Sequence, residues 1–241
     1  MIKIADIEVS YVQHCGSDLV VANAARVSFD KASDWERETE EKCTCSAWYE
    51  HECCCGNFNP PLKLKTADEK LINYLAKHKH KSPFNHSFIT VKVKAPISVA
   101  RQLVKHKFMP WNEISRRYVS DDPEFYIPDM FRAGAENVKQ GSSEDDSGYD
   151  RHAAIEHSQN CLDEYNARLA HGVCAEQARD ALPLNTHTEW YWSGTLGAFA
   201  DMLVLRLSSY TQKESRIVAQ KARDIIEPLF PVSLKALLNN G

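Results

Sequence analysis

The stretch that most constrains how this chain can fold is HSFITVKVKAP, residues 86–96, which runs without a break into ISVARQLVKHK. Apolar and polar residues alternate through its first part, setting Phe88, Thr90 and Lys92 on one face of a strand and Ile89, Val91 and Val93 on the other. Pro96 then suits the first position of a helix, where an N–H would lack a partner anyway. The helix predicted over 97–107 carries an apolar stripe of Ile97, Ala100, Leu103 and Val104, leaving Arg101, Gln102, Lys105 and His106 on other faces. Pro110 stops it.

Around this strand and helix the pattern is uneven. Residues 2–12 have the period of a strand, and the Ala/Val-rich run after them reads as a helix ending near Ser28. Residues 29–64 are rich in charge, cysteine, Gly, Asn and Pro without sustained periodicity, a long excursion from the core. Regular structure resumes in ADEKLINYLAKHKH, with Leu71, Ile72 and Leu75 on one helical face. Residues 112–118 read as a loop or short turn, and residues 134–150 as a polar, flexible surface loop. Four helices are expected near 151–170, 174–182, 195–208 and 211–228, with stripes such as Ile155, Leu162, Tyr165 and Leu169, and Ile217, Ala222 and Ile225.

With 241 residues and a hydrophobic fraction of 43%, one domain is expected. A formal net charge of -4 speaks against a surface that coats nucleic acid, which needs an excess of Lys and Arg. The N-terminal alternation is that of a strand and not of a signal peptide, and no apolar run approaches the roughly 20 residues of a bilayer span. A soluble, cytoplasmic protein without membrane contact is the expectation, so the eight cysteines should be thiols or metal ligands and not disulfides.

Function is most legible in RQLVKHKFMPWNEISRRY, residues 101–118. Lys105, His106, Lys107, Arg116 and Arg117 can neutralise phosphates, while Gln102, Asn112, Glu113 and Ser115 can match the donors and acceptors of a heterocycle. A basic, solvated helix end is the plainer reading of such a cluster. The order of residues decides between them. Gln102, then Lys105-His106-Lys107, then Asn112, Ser115 and Arg117 resembles the R-H-R-x-x-S-x-N-x-x-S-x-R signature of flavin-dependent thymidylate synthases, with Lys105, Lys107 and Pro110 departing from it. AARVSF at 24–29, HKSPFNHSF at 80–88, EFYIP at 124–128, ARDALPLN at 178–185 and LRLSSYTQKES at 205–215 resemble further blocks of that family, in its order.

The resemblance implies an α/β fold of α+β type, a mixed or antiparallel sheet flanked by helices in a single domain, with a cysteine-rich insertion at about 35–63. It implies dTMP synthesis from dUMP, with 5,10-methylenetetrahydrofolate as one-carbon donor, FAD as hydride source and NADPH as its reductant, in a homotetramer with shared active sites. By the same resemblance Gln102, Glu113, Ser115, Arg117, Arg179 and Arg206 bind dUMP, with Arg206, Ser115 and His80 as catalytic candidates. Arg206 would sit against the uracil and favour N3 ionisation. Ser28, Ser82, Asn85, Lys105, His106, Lys107, Thr195 and Asp201 would hold FAD. Asn85 stands where the family has glutamate, and Thr195, Gly197 and Asp201 where it has Asn, Arg and Asn. Lysine at 105 and 107 keeps the charge but loses the bidentate fork of arginine.

Three further alternatives stand beside this. Cys43, Cys45, Cys53 and Cys55, with His51, could close a zinc site, although their spacing lacks paired C-x-x-C repeats and also suits a loop of free thiols. A nucleic-acid binder using Phe108, Trp111 or Tyr118 for stacking, or a hydroxymethylating relative acting on a pyrimidine deoxynucleotide, would use the same basic stretch.

Overall fold

The computed structural model describes residues 1–37, 62–119, 121–135 and 142–241. Two strands, β1 (Lys3–Ile4) and β2 (Glu8–Cys15), lead into helix α1 (Asp18–Arg26); β3 (Glu36–Arg37) and β4 (Leu62–Lys63) then precede α2 (Thr66–Lys77). Next come β5 (Phe88–Pro96), α3 (Ile97–Leu103), β6 (Trp111–Glu113), β7 (Glu124–Phe125), β8 (Arg132–Gly134) and β9 (Ser142–Asp146). Helices α4 (Arg151–Ala170) and α5 (Ala175–Ala178), strand β10 (His187–Thr195), and helices α6 (Leu196–Arg206), α7 (Lys213–Ile226) and α8 (Pro231–Asn239) complete the order.

The central sheet has the order β2-β5-β10-β6 with every neighbour antiparallel. Strands β5 and β10 pair along their whole length, from Phe88 opposite Thr195 to Pro96 opposite His187. Directly opposed residues share a face, so Ile89, Val91, Val93 and Ala95 lie with Trp190 and Trp192, all buried beneath α3, α6 and α7. The other face is polar: Lys92 pairs with Glu189 at 2.8 Å and the hydroxyls of Thr90 and Ser193 meet at 2.9 Å. A smaller core gathers Ile2, Phe125, Leu162, Tyr165 and Ala178 where α4 and α5 pack on the parallel β1–β7 pair. An antiparallel sheet flanked by helices, with one parallel pair beside it, agrees with the expected fold class.

Polar ties close the structure end to end. The Asp18 carboxylate accepts from the backbone N–H groups of Val232 and Ser233, both at 2.9 Å, so the start of α1 caps the start of α8. Fully buried Asp68 on α2 accepts from Arg26 Nε at 2.7 Å and from Ser33 Oγ at 2.5 Å, which fixes the chain leaving α1.

Several expectations change. Pro96 closes β5 and precedes α3, its ψ of 149° belonging to extended backbone. Helix α3 ends at Leu103 and not at 107, so Val104 is exposed and Val99 takes the buried place. Residues 111–113 form an edge strand because β10 offers them a partner. Strands β10 and β9 and helix α8 were not anticipated; β9 pairs with β8 inside the stretch read as a loop. The strand expected over 2–12 divides into β1 and β2, and Leu169 ends up on the exposed side of α4. The two ends of the cysteine-rich excursion are drawn together by antiparallel pairing of β3 with β4. Cys43, Cys45, Cys53, Cys55 and His51 lie outside the described residues.

Candidate active site

Helix α6 is the spine of the site. Thr195 caps its first turn by accepting from the Ala198 N–H at 3.2 Å, and Leu196, Phe199, Ala200, Met202 and Leu203 bury its body. Arg206 falls in the last turn, where the helix dipole favours a cation. Eleven residues at about 1.5 Å each separate the two ends by roughly 16 Å. A different group of candidate residues gathers at each end.

At the C-terminal end, Arg206 Nε donates to His106 Nε2 at 2.9 Å and Arg206 Nη2 donates to the Gln102 carbonyl at 3.3 Å. Gln102 Oε1 in turn accepts from Ser215 Oγ at 2.8 Å, and its amide pairs with Gln212. Ser215 is fully buried on α7. An Nε2 that accepts leaves the proton of the neutral ring on Nδ1. Burial and then the nearby Arg206 charge push the His106 pKa down to about 4, which keeps the acceptor neutral. Burial also lowers the Arg206 pKa, although guanidinium stays protonated at any physiological pH. Arg206 Nη1 has no hydrogen-bond partner among the described residues, so part of the fork remains for a ligand.

At the N-terminal end, Thr195 Oγ1 donates to Asn85 Oδ1 at 2.8 Å. That same oxygen lies 2.5 Å from the place a Cβ on Gly197 would take, so Asn85 occupies space that a side chain at 197 would need. One turn on, both oxygens of Asp201 meet Lys81 Nζ, at 2.5 and 2.7 Å. His80, Lys81, Phe84, Asp201 and Val204 line one small cavity here, and exposed Ser82 opens the 3-10 turn Ser82–His86, whose Phe84 is buried. Ser28 sits in the turn Val27–Phe29, between a valine and a phenylalanine that are both largely exposed.

The remaining candidates are Glu113, Ser115, Arg117, Arg179, Lys105 and Lys107. Both oxygens of Glu113 are held, Oε1 by Thr188 Oγ1 at 2.6 Å and Oε2 by Trp111 Nε1 at 2.9 Å. Trp111 stacks on Trp190 with ring centroids 4.3 Å apart, which steadies that donor. Ser115 Oγ accepts from Arg117 Nε at 3.3 Å, and the Arg117 guanidinium lies 5.0 Å over the Tyr118 ring. Arg179 donates to the Glu176 carbonyl at 3.3 Å. Among the described residues, no hydrogen bond or ion pair joins Arg117, Arg179 or Ser28 to the Arg206 network. Lys105 and Lys107 are exposed and make no ion pair there.

Gln102, His106 and Arg206 thus converge, and so do His80, Ser82, Asn85, Thr195 and Asp201. Ser215, Gln212, Thr188 and Trp111 were missed as supporting residues. Ser215 had a signal: it is a polar residue in the stripe Ser215, Val218, Ala219, Ala222 that α7 turns to the core.

Comparison with known proteins identifies the family. Residues 10–232 match the family model Thy1, thymidylate synthase complementing protein. A flavin-dependent thymidylate synthase from Gluconobacter oxydans is 31% identical over 234 residues, covering 93% of this chain and 68% of the relative. One from Thermus thermophilus is 34% identical over 231 residues, covering 95% and 74%. The solved structure of the UMP/dUMP methylase PolB from Streptomyces cacaoi, bound with 5-Br dUMP, superposes with a TM-score of 0.78 at 29% identity, covering 100% of this chain and 98% of that one. The chain therefore belongs to the Thy1 family.

Proposed function

We propose that the chain is a flavin-dependent thymidylate synthase that methylates dUMP to dTMP, with 5,10-methylenetetrahydrofolate as carbon donor and NADPH as reductant, in the cytoplasm. The observation that carries this reading is the Arg206–His106–Gln102–Ser215 network. It holds a partly buried guanidinium whose Nη1 is left without a partner among the described residues, and that group would meet the uracil. Making C5 of uracil nucleophilic puts negative charge on N3 and the ring oxygens, and an oriented cation in a partly dry site stabilises that charge. Gln102 and Ser215 hold the arginine without moving a proton.

The donor set suits a phosphorylated planar cofactor. Lys105 and Lys107 offer unpaired ammonium groups for phosphate, and Ser28 and Ser82 add exposed hydroxyls. Asn85 and Thr195 would join them once released from one another, and so would the Lys81 ammonium once released from Asp201. Flavin, when bound, supplies the hydride. His80 lines the same small cavity as Asp201 and would face the ring. Arg117, Arg179, Glu113 and Ser115 would bind dUMP across a boundary between copies, which accounts for their separation within one chain and supports a homotetramer with shared sites.

Tritium release from 5-tritiated dUMP tests the reading, with methylenetetrahydrofolate and NADPH present and the product identified. Tritiated water together with dTMP is the expected result. A hydroxymethyl product, or no release from protein that binds flavin, would overturn it. UMP belongs in the same assay, because the structural neighbour is a methylase of both nucleotides.

A further inference from the structure

We infer that Phe108 is a ring-stacking residue, presented by a rigid turn to the planar ring system of the flavin; this rests on the flavin reading above. Two features of Phe108 work against stability at once. Its φ of 60° is in the left-handed region, which is strained for a residue that carries a side chain. Its side chain is also 86% exposed, forgoing the stabilisation that burying a phenylalanine contributes. A chain reversal after a helix ordinarily takes glycine or asparagine.

The neighbours explain the conformation but not the residue. On one side, the His106 N–H donates to the Leu103 carbonyl at 3.1 Å, and the His106 ring accepts from Arg206. On the other, Met109 is buried, with its Cγ 3.3 Å from where a Cβ on Gly194 would stand, and the Pro110 carbonyl accepts from the Ser193 N–H at 3.1 Å. The chain must therefore reverse between two fixed points, and position 108 is forced outward. Glycine would satisfy that reversal better than phenylalanine.

What the aromatic side chain adds is a flat, exposed apolar face on the residue that follows exposed Lys107, three residues after exposed Lys105 and two residues from the histidine that holds Arg206. A face of that kind matches an aromatic ring carrying phosphates. Stacking on such a ring offsets the strain only while the ligand is bound. The penalty in the free protein and the gain in the complex belong to one side chain.

Three variants of the full chain test this: Phe108→Leu, Phe108→Trp and Phe108→Gly, each stripped of flavin and titrated with FAD by fluorescence and absorption. The leucine variant should bind FAD roughly ten-fold more weakly, and the tryptophan variant within about three-fold of the parent. The glycine variant should lose at least as much affinity as leucine while its flavin-free form melts about 2–4 °C higher, the sign of relieved strain. Unchanged FAD affinity in the leucine and glycine variants would overturn the inference and leave the flavin reading intact. A parent protein that binds no FAD would overturn both. Elution of the leucine and glycine variants as smaller species would show Phe108 to be a contact between copies, which also overturns ring stacking.

Discussion

The two ends of α6 hold their polar residues in opposite ways. At the C-terminal end Arg206, His106, Gln102 and Ser215 form a chain of bonds that reaches a fully buried hydroxyl. At the N-terminal end Asn85 with Thr195 and Lys81 with Asp201 are short local pairs at the surface, with Lys81 and Asp201 both exposed. A buried network keeps its geometry before any ligand arrives, because each group would otherwise lose a partner it cannot recover from water. An exposed pair exchanges protein for solvent at little cost. The first end is thus built for preorganised charge stabilisation, and the second for contacts that re-form around a bound group.

Replacing Arg206 with alanine should have the largest effect and the most one-sided. Turnover of dUMP should fall by about 10³-fold, the loss typical for one preorganised charge-stabilising donor. FAD binding and melting temperature should stay close to the parent, since the guanidinium is only partly buried. Near-normal turnover in this variant would erase the difference between the two ends.

Acid should come next, acting through His106. Its folded pKa of about 4 lies below the 6.5 of the free side chain. Between these values the unfolded chain binds more protons than the folded one, so stability is complete above about pH 6.5 and falls as the pH drops toward 4. After allowance for solvent screening at this half-buried ring, the loss is roughly 1–2 kcal/mol. Protonation also removes the acceptor that Arg206 Nε uses and sets two cations side by side. Melting curves from pH 7 to 4 on the parent and on His106→Gln measure the effect. An equal acid loss in both proteins would assign it elsewhere.

Much of the first end was legible because it obeys local rules. The period of two in β5, the 3.6 period in α6 and α7, and the order of Gln102, His106 and Arg206 along the chain are all visible without a structure. Three features were hidden for physical reasons. Strand β10 places Trp190 and Trp192 inward but Tyr191 outward, so its alternation is masked by three adjacent aromatics. The end of α3 is set by the turn anchored at Gly194 and Ser193, a contact between distant segments, so its periodicity ran on to residue 107. The bond from Ser215 to Gln102 joins residues 113 apart in sequence, and a serine on α7 gives no hint of which helix answers it. At the second end, the sequence showed that Asn85 and Gly197 depart from the family pattern, but not that one fills the space the other leaves.

The smaller predictions probe that second end. Thr195→Ala removes both the cap on Ala198 and the bond to Asn85, and should destabilise the protein by about 1 kcal/mol. Asp201→Asn keeps the shape but removes the charge facing Lys81. Because that pair is exposed, stability should change by less than about 0.5 kcal/mol, and less again in high salt. FAD affinity is the informative readout for this variant. Freed from Asp201, the Lys81 ammonium becomes available to phosphate, so binding should tighten by a few-fold at low ionic strength and converge on the parent value as salt rises. Weaker binding at every salt concentration would mean that the carboxylate itself holds the ligand, and that the N-terminal end of α6 is as preorganised as the C-terminal one.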